Sequence, residues 1–404
     1  MSNPSGFSER RLVKLREAME GFVARDDVPG IVYLVCRRGE LRVQALGRMS
    51  RDNQAPMARN TIFRIASMTK PLVAVAAMIL VEECRLRLDD PVDELLPELA
   101  DRQVLRSIDT EIDDTVPANR PIALRDLLTF TFGAGMIMAR PGTYPIQEAV
   151  RAAGMSPGPP KPSTFPDPDE YMRRLGSLPL LYQPGERWLY HTGSDVLGVL
   201  IARAAGQPLA DFMDERIFRP LGMRDTGFYV PPEKVDRFAT AYWKDFQTGE
   251  PTVFDPAAGS DWGSPPIFPA GGSGLVSTVD DLLSFSRMLL QGGVHGAARI
   301  LSRPAVEAMT TDQLTPAQKS GGELIPGYWD SHGWGLGMAV VTKKTGPAGS
   351  LGAYGWDGGF GTSWSNDPKE HLIGILLTQQ LWTSPTPPPV CRDFWTLAYG
   401  AIDD

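Results

Sequence analysis

The sequence predicts an α+β fold: one antiparallel sheet, helices segregated on its faces, and a long, mainly helical insertion. Three observations carry that prediction. Near the start, "GIVYLVCRRGELRVQALG" (30–47) reads as two apolar β-runs joined at Arg38-Gly39, a hairpin. Near the end, "GWGLGMAVVT", "GGFGTSWSND" and "HLIGILLTQQ" read as three successive strands, the last two joined by a turn at Asn366-Asp367-Pro368-Lys369. Between the two sets lies a long stretch of helical periodicity. Strands that follow one another through short turns pair antiparallel, so early and late strands complete one sheet only if the middle is inserted. The division expected is a mixed domain from 1–60 and 270–404, with a mainly helical domain over 61–269.

The remaining elements follow in order. "SERRLVKLREAMEGF" alternates charged and apolar positions at helical spacing and predicts an amphipathic helix from near Ser8. "RIASMTKPLVAVAAMIL" (64–80) begins with a small polar turn and runs into an unbroken apolar helix. The Pro and Asp residues of "LRLDDPVDELLPEL" stop and restart helices, and 141–170, rich in Pro, Gly and Ser, reads as irregular surface. Helical periodicity returns in "SDVLGVLIARAAG" and "ADFMDERIFRPLGM". In "STVDDLLSFSRMLLQGG", Thr278 can cap a helix whose third position is Asp281, and Gly292-Gly293 ends it. "CRDFWTLAYGAI" closes the chain as a helix, and there is no internal repeat.

Composition excludes several functions. A net charge of −8 argues against nucleic acid and anionic membranes, whose phosphates demand basic patches. No run approaches the ~18 apolar residues needed to span a bilayer, and the first helix lacks the apolar core of a signal peptide. A cytoplasmic location is the expectation. Cys36, Cys84 and Cys391 sit in apolar surroundings and read as buried thiols of a reducing compartment. His191, His295, His332 and His371 lie far apart without metal-ligand spacing, so no metal is expected, nor any cofactor. Oligomeric state leaves no trace in the sequence.

The chemistry centres on Ser67 and Lys70. A serine hydroxyl is a poor nucleophile without a nearby base. Residues three apart on a helix share a face, so Lys70 lies beside Ser67. An apolar pocket disfavours the ammonium and lowers its pKa from about 10.4, which lets the amine take the Ser67 proton. The helix N-terminus adds N–H groups and partial positive charge for an oxyanion. On spacing alone, an N-capping Ser67 and a snorkelling Lys70 are the favoured reading of the pair. The rest of the chain tips the balance.

"FRIASMTK", "LRDLLTFTFG", "RWLYHTGSDVLG", "RPLGMRDTGF", "GGSGLVSTVDDLLSF" and "YGWDGGFGTSW", in that order, resemble the serine β-lactamase and penicillin-binding-protein superfamily. The likeness is nearest to the class C-like branch that includes the family VIII carboxylesterases, and runs from about residue 25 to 400. It implies a β-lactamase/transpeptidase-like fold with the active site in the cleft between the domains. It further implies Ser67 as acylated nucleophile, Lys70 as its proton partner, and Tyr190 as the second-motif tyrosine. A phenol held near ammonium groups would persist as phenolate and relay protons. His191 and Thr192 follow Tyr190 where the family has a small residue and then Asn. Where many relatives carry Lys-Thr-Gly or His-Thr-Gly, this chain has Trp356-Asp357-Gly358-Gly359, similar to the esterases' Trp-x-Gly. By that resemblance Trp356, Asp357 and Gly358 would meet substrate, and Gly359 N–H would join Ser67 N–H as the oxyanion hole.

Two literal motifs are rejected on context. Lys344-Thr345-Gly346 lies in a turn between strands, and the G-x-S-x-G around Ser156 is followed by "PPKP", which forbids the helix a nucleophile elbow needs. The expected activity is hydrolysis of a small-molecule ester through a Ser67 acyl-enzyme, in an apolar pocket lined by 130–170 and 255–270. The alternatives are a β-lactamase or D-alanyl carboxypeptidase, and a non-catalytic binding protein on the same fold. An uncharged Trp356 in place of the carboxylate-binding cation favours the esterase.

Overall fold

The structure, a computed structural model, describes residues 6–52, 54–156, 158–245 and 247–404. Seven strands form the main sheet: β1 (Gly30–Arg37), β2 (Glu40–Gly47), β3 (His332–Trp334), β4 (Ala339–Val341), β5 (Tyr354–Gly358), β6 (Thr362–Asp367) and β7 (Leu372–Thr378). They lie in the order β3-β4-β5-β6-β7-β1-β2, every neighbouring pair antiparallel. The hairpin turns at Arg38 (φ 51°) and Gly39 (φ 86°), the double positive-φ turn whose twist suits two strands. β1 is the seam of the molecule, paired with β2 on one edge and with β7, more than 330 residues later, on the other.

Five longer helices matter to the site: α1 (Glu9–Ala24), α2 (Thr69–Glu82), α3 (Thr192–Ala205), α4 (Val279–Leu290) and α5 (Pro389–Gly400). Side chains alternate across a strand, and β1 uses both faces. Ile31, Tyr33 and Val35 pack under α1 and α5 with Leu15, Met19 and Phe394. Val32, Leu34 and Cys36 join the larger core, which holds α2 and α4. Residues 69–80 of α2 are all buried, as suits a helix apolar on every side. Thr278 caps α4 by accepting the Asp281 N–H at 3.3 Å, and Gly292 and Gly293 end it with positive φ.

Several expectations need correcting. The late strands number five, not three. "GWGLGMAVVT" folds back on itself into β3 and β4, with Gly337 (φ 91°) in the turn, and "YGWDG" is a strand of its own. Glycine-rich segments hide strands because they lack the side chains that show period two. Asn366 and Asp367 still pair with Ile373 and Leu372, so the last turn comes after them. The middle of the chain also carries two-stranded ribbons, among them Phe63–Arg64 with Val276–Ser277. Cys36 and Cys391 are buried, but Cys84 is exposed just past α2. Among the described residues no single helix is long and apolar enough to cross a membrane.

Candidate active site

Ser67 is not in the α-helix itself but in a short 3-10 turn, Ala66–Met68, that feeds into α2. Ala66 has φ 44°, which no α-helical residue adopts, so the α-helix begins at Thr69. Every residue from 61 to 70 is buried except Ser67. Lys70, in the first turn of α2, is 1% exposed. Its Nζ lies 3.0 Å from Ser67 Oγ and 3.2 Å from His191 Nδ1, and donates to the Gly272 carbonyl at 2.7 Å. Burial pushes the amine from 10.5 down to about 7, against the opposing pull of the Asp195 charge.

His191 occupies the position where a small residue was anticipated. Its φ of 86° and ψ of −67°, with Thr192 N–H donating to the Tyr190 carbonyl at 3.3 Å, make a strained γ-turn. That turn opens α3 and aims Tyr190 and His191 at Lys70 together. On the far side, His191 Nε2 meets Asp195 Oδ2 at 3.3 Å, one helical turn on. Asp195, 2% exposed, also accepts the Gly272 N–H at 2.8 Å. A carboxylate only accepts, so a neutral His191 with its proton on Nε2 would offer Nδ1 to Lys70 as an acceptor. A Cβ on Gly272 would sit 3.0 Å from Asp195 Oδ1 and 3.2 Å from His191 Cε1, so any larger residue there crowds both side chains.

Tyr190 completes the cluster. Lys70 Nζ stands 4.5 Å above its ring, and its hydroxyl accepts a hydrogen bond from Trp356 Nε1 at 2.7 Å. Burial pushes the phenol well above its ordinary 10, and the opposing pull of Ser67 and Trp356 does not reverse the shift. This corrects the expected phenolate: the resting Tyr190 is a neutral phenol, and the amine is the group that titrates near neutrality. Trp356 therefore touches the tyrosine oxygen from the place of the usual cation. Its ring packs edge-on against Trp334 at 4.7 Å, in a cluster with Phe130 and Trp188.

The two glycines of β5 and the loop after it divide their work. Gly358, read from the sequence as a substrate contact, is buried instead: a Cβ there would come within 2.3 Å of the Ile65 carbonyl. Its absence lets β5 lie against the turn that carries Ser67, where Thr362 Oγ1 donates to the same carbonyl at 3.2 Å. Gly359 is exposed, has no atom within 4 Å of a Cβ position, and its N–H has no acceptor among the described residues. It shares with Ser67, Tyr190, Trp356 and Asp357 a cavity of about 550 Å³.

That cavity is walled by 324–365 and 382–395, with Met136 and Met138 from the segment anticipated; the 255–270 segment lines none of it. Lys344-Thr345-Gly346 is an exposed loop between β4 and β5. Ser156 is exposed beyond the helix Pro145–Ala152, and Pro157 beside it lies outside the described residues. The described residues hold no His, Cys, Asp and Glu group suited to a metal ion. Sequence reasoning missed Asp195 and the Gly272 carbonyl. His-x3-Asp at a helix start was a visible signal for Asp195, whereas nothing local marks a carbonyl 202 residues from its lysine.

A family model for β-lactamases matches residues 15–389. The chain belongs to the β-lactamase family. Within it, the chain is 40% identical over 357 residues to Protein Rv1367c of Mycobacterium tuberculosis, covering 87% of this chain and 85% of that one. It is 32% identical over 381 residues to Esterase EstB of Burkholderia gladioli, covering 86% and 85%. Among solved structures, EstCE1, described as a hydrolase with promiscuous acyltransferase activity, matches with a TM-score of 0.78 at 26% identity, over 98% of this chain and 99% of its own. The α+β architecture is thus the β-lactamase/transpeptidase-like one. Esterase and acyltransferase relatives on this β-lactamase fold support serine ester hydrolase activity at the level of the family.

Proposed function

We propose that this protein is a serine carboxylesterase that hydrolyses small to medium carboxylic esters through a Ser67 acyl-enzyme. The observation that carries the reading is the buried Lys70 Nζ, 3.0 Å from Ser67 Oγ and titrating near 7. Ser67 gives its proton to the neutral amine as Oγ attacks the ester carbonyl, and the N–H groups of Ser67 and Gly359 receive the oxyanion. As the tetrahedral centre collapses, the neutral Tyr190 hydroxyl protonates the departing alkoxide, leaving a phenolate beside the Lys70 ammonium, whose nitrogen stands 4.5 Å from the ring. Water then attacks the acyl-enzyme along the same relay in reverse, releasing the acid and restoring Ser67.

Lys70 can work in both protonation states without moving. As an ammonium it donates three bonds, to Ser67, His191 and Gly272. As an amine it donates to His191 and Gly272 and turns its lone pair to the Ser67 hydroxyl. A fluorophosphonate should add one phosphonyl group to the protein, detected by intact mass. Ser67→Ala should abolish both the adduct and hydrolysis of p-nitrophenyl butyrate, while Ser156→Ala should keep both. Labelling that survives in a folded Ser67→Ala protein would overturn the assignment. So would a kcat/KM for benzylpenicillin that matches the ester, since the expected margin is about three orders of magnitude or more.

A further inference from the structure

Asp357 lines the cavity that Ser67 opens into, and no described residue neutralises it. It lies on the strand edge opposite Ser363 in the β5–β6 register, on the wall of the 550 Å³ cavity that Ser67 opens into. Ser363 Oγ donates to Asp357 Oδ1 and itself accepts the Trp395 indole N–H at 2.8 Å. No other hydrogen bond reaches the carboxylate, and no Lys, Arg or His pairs with it among the described residues. Burial pushes its carboxyl up to about 6, so at neutral pH it is chiefly an anion without a counter-charge. Aromatic rings surround the same space: Trp356, Tyr328, Trp382 and Trp395 all line the cavity. An uncompensated carboxylate in a half-buried site is costly, and an entering cation would return that energy. Indole and phenol faces attract the same kind of ligand, because their quadrupole is negative over the ring.

Building on the esterase reading, we propose that the cavity selects esters that carry a positively charged ammonium group, with Asp357 as counter-ion and the surrounding rings as a cation-binding wall. Asp357 lines the same cavity as Ser67, Tyr190 and Tyr328, and its charge raises both phenols. A carboxylate there repels an anionic substrate and leaves a neutral ester without its strongest available contact.

The test is a comparison of charge at constant shape. Butyrylcholine and its carbon isostere, 3,3-dimethylbutyl butyrate, differ only in nitrogen against carbon at the quaternary centre. The wild-type protein should hydrolyse the cationic ester with a kcat/KM at least about tenfold higher, a difference of roughly 1.4 kcal/mol. Asp357→Asn keeps an acceptor for Ser363 and removes the charge, and the ratio between the two esters should collapse toward one. Equal kcat/KM for the two esters in the wild type would overturn the inference, as would an unchanged ratio in a folded Asp357→Asn protein. A separate measurement needs no turnover: phenyltrimethylammonium should quench the cavity tryptophans saturably in the wild type and bind at least about tenfold more weakly to Asp357→Asn. If fluorophosphonate leaves Ser67 unlabelled while that titration succeeds, the esterase reading fails and the cation site stands. If labelling succeeds and the titration shows no saturable binding, the cation site is wrong and the esterase reading stands.

Discussion

An amine acts as a base when its lone pair faces the proton it takes, and hydrogen bonds from its own N–H groups hold it in that direction. Lys70 is held this way because His191 and Gly272 take two N–H groups, leaving the third position to Ser67. The working form is the neutral amine, so kcat/KM for a neutral ester should rise with pH through about 7 and level off above it. Asp195 opposes the downward shift of Lys70. Asp195→Asn removes that charge while keeping an acceptor for His191, so the rising limb should move to lower pH. A limb that stays in place or moves up would show that Asp195 does not act on the base. Lys70→Ala and Tyr190→Phe should each lower turnover by about two orders of magnitude or more, checked by steady-state kinetics on circular-dichroism-verified protein. At this scale the sequence made Ser67, Lys70 and Tyr190 visible because each sits in a recognisable local pattern. The protonation of Tyr190 was hidden, because its burial draws on Phe130 and Trp356, which lie far from it in the chain.

At the scale of elements, the site depends on how closely β5 can approach the turn before α2. Gly358→Ala would drive a methyl into the Ile65 carbonyl and Thr362 Oγ1. Overpacking of this kind costs about 1–3 kcal/mol, and here the displaced backbone is the one that carries Ser67. A lower urea midpoint together with a loss of turnover exceeding tenfold, by roughly the rule that small misplacements of catalytic groups are expensive, is the expected outcome. Gly359→Ala meets open space, so its urea midpoint should stay near the parent's. Equal destabilisation by the two substitutions would mean that the approach of β5 is not what Gly358 protects. The strand that makes this contact was the one the sequence pattern failed to separate from its neighbours. Three glycines in "YGWDGG" remove the alternation that marks a strand, even though two of them, Gly355 and Gly358, are what permits its close packing.

At the scale of the whole molecule, residues 6–8 meet residues 401–403. Ser8 N–H donates to the Ala401 carbonyl at 2.8 Å and Asp403 N–H to the Gly6 carbonyl at 2.9 Å. α1 and α5 then cover one face of the sheet together, while the other face holds the core behind Ser67. This closure was legible from the order of elements alone, because an early hairpin and late strands have only each other to pair with. Its consequence is that the chain can be closed here and reopened elsewhere. Joining residue 404 to residue 6 through a short linker and reopening the chain within Lys344-Thr345-Gly346 should leave a folded protein, since that loop is exposed between β4 and β5. The cut destroys the literal Lys-Thr-Gly while leaving Trp356, Asp357, Gly358 and Gly359 on an uncut segment paired with β6. If the loop plays no part in the chemistry, the permuted protein should keep kcat/KM for p-nitrophenyl butyrate within about tenfold of the parent, as permutation at exposed loops generally allows. A permuted protein with the parent's circular dichroism and no turnover would place the loop in the cleft and move the third motif from Trp356 to Lys344.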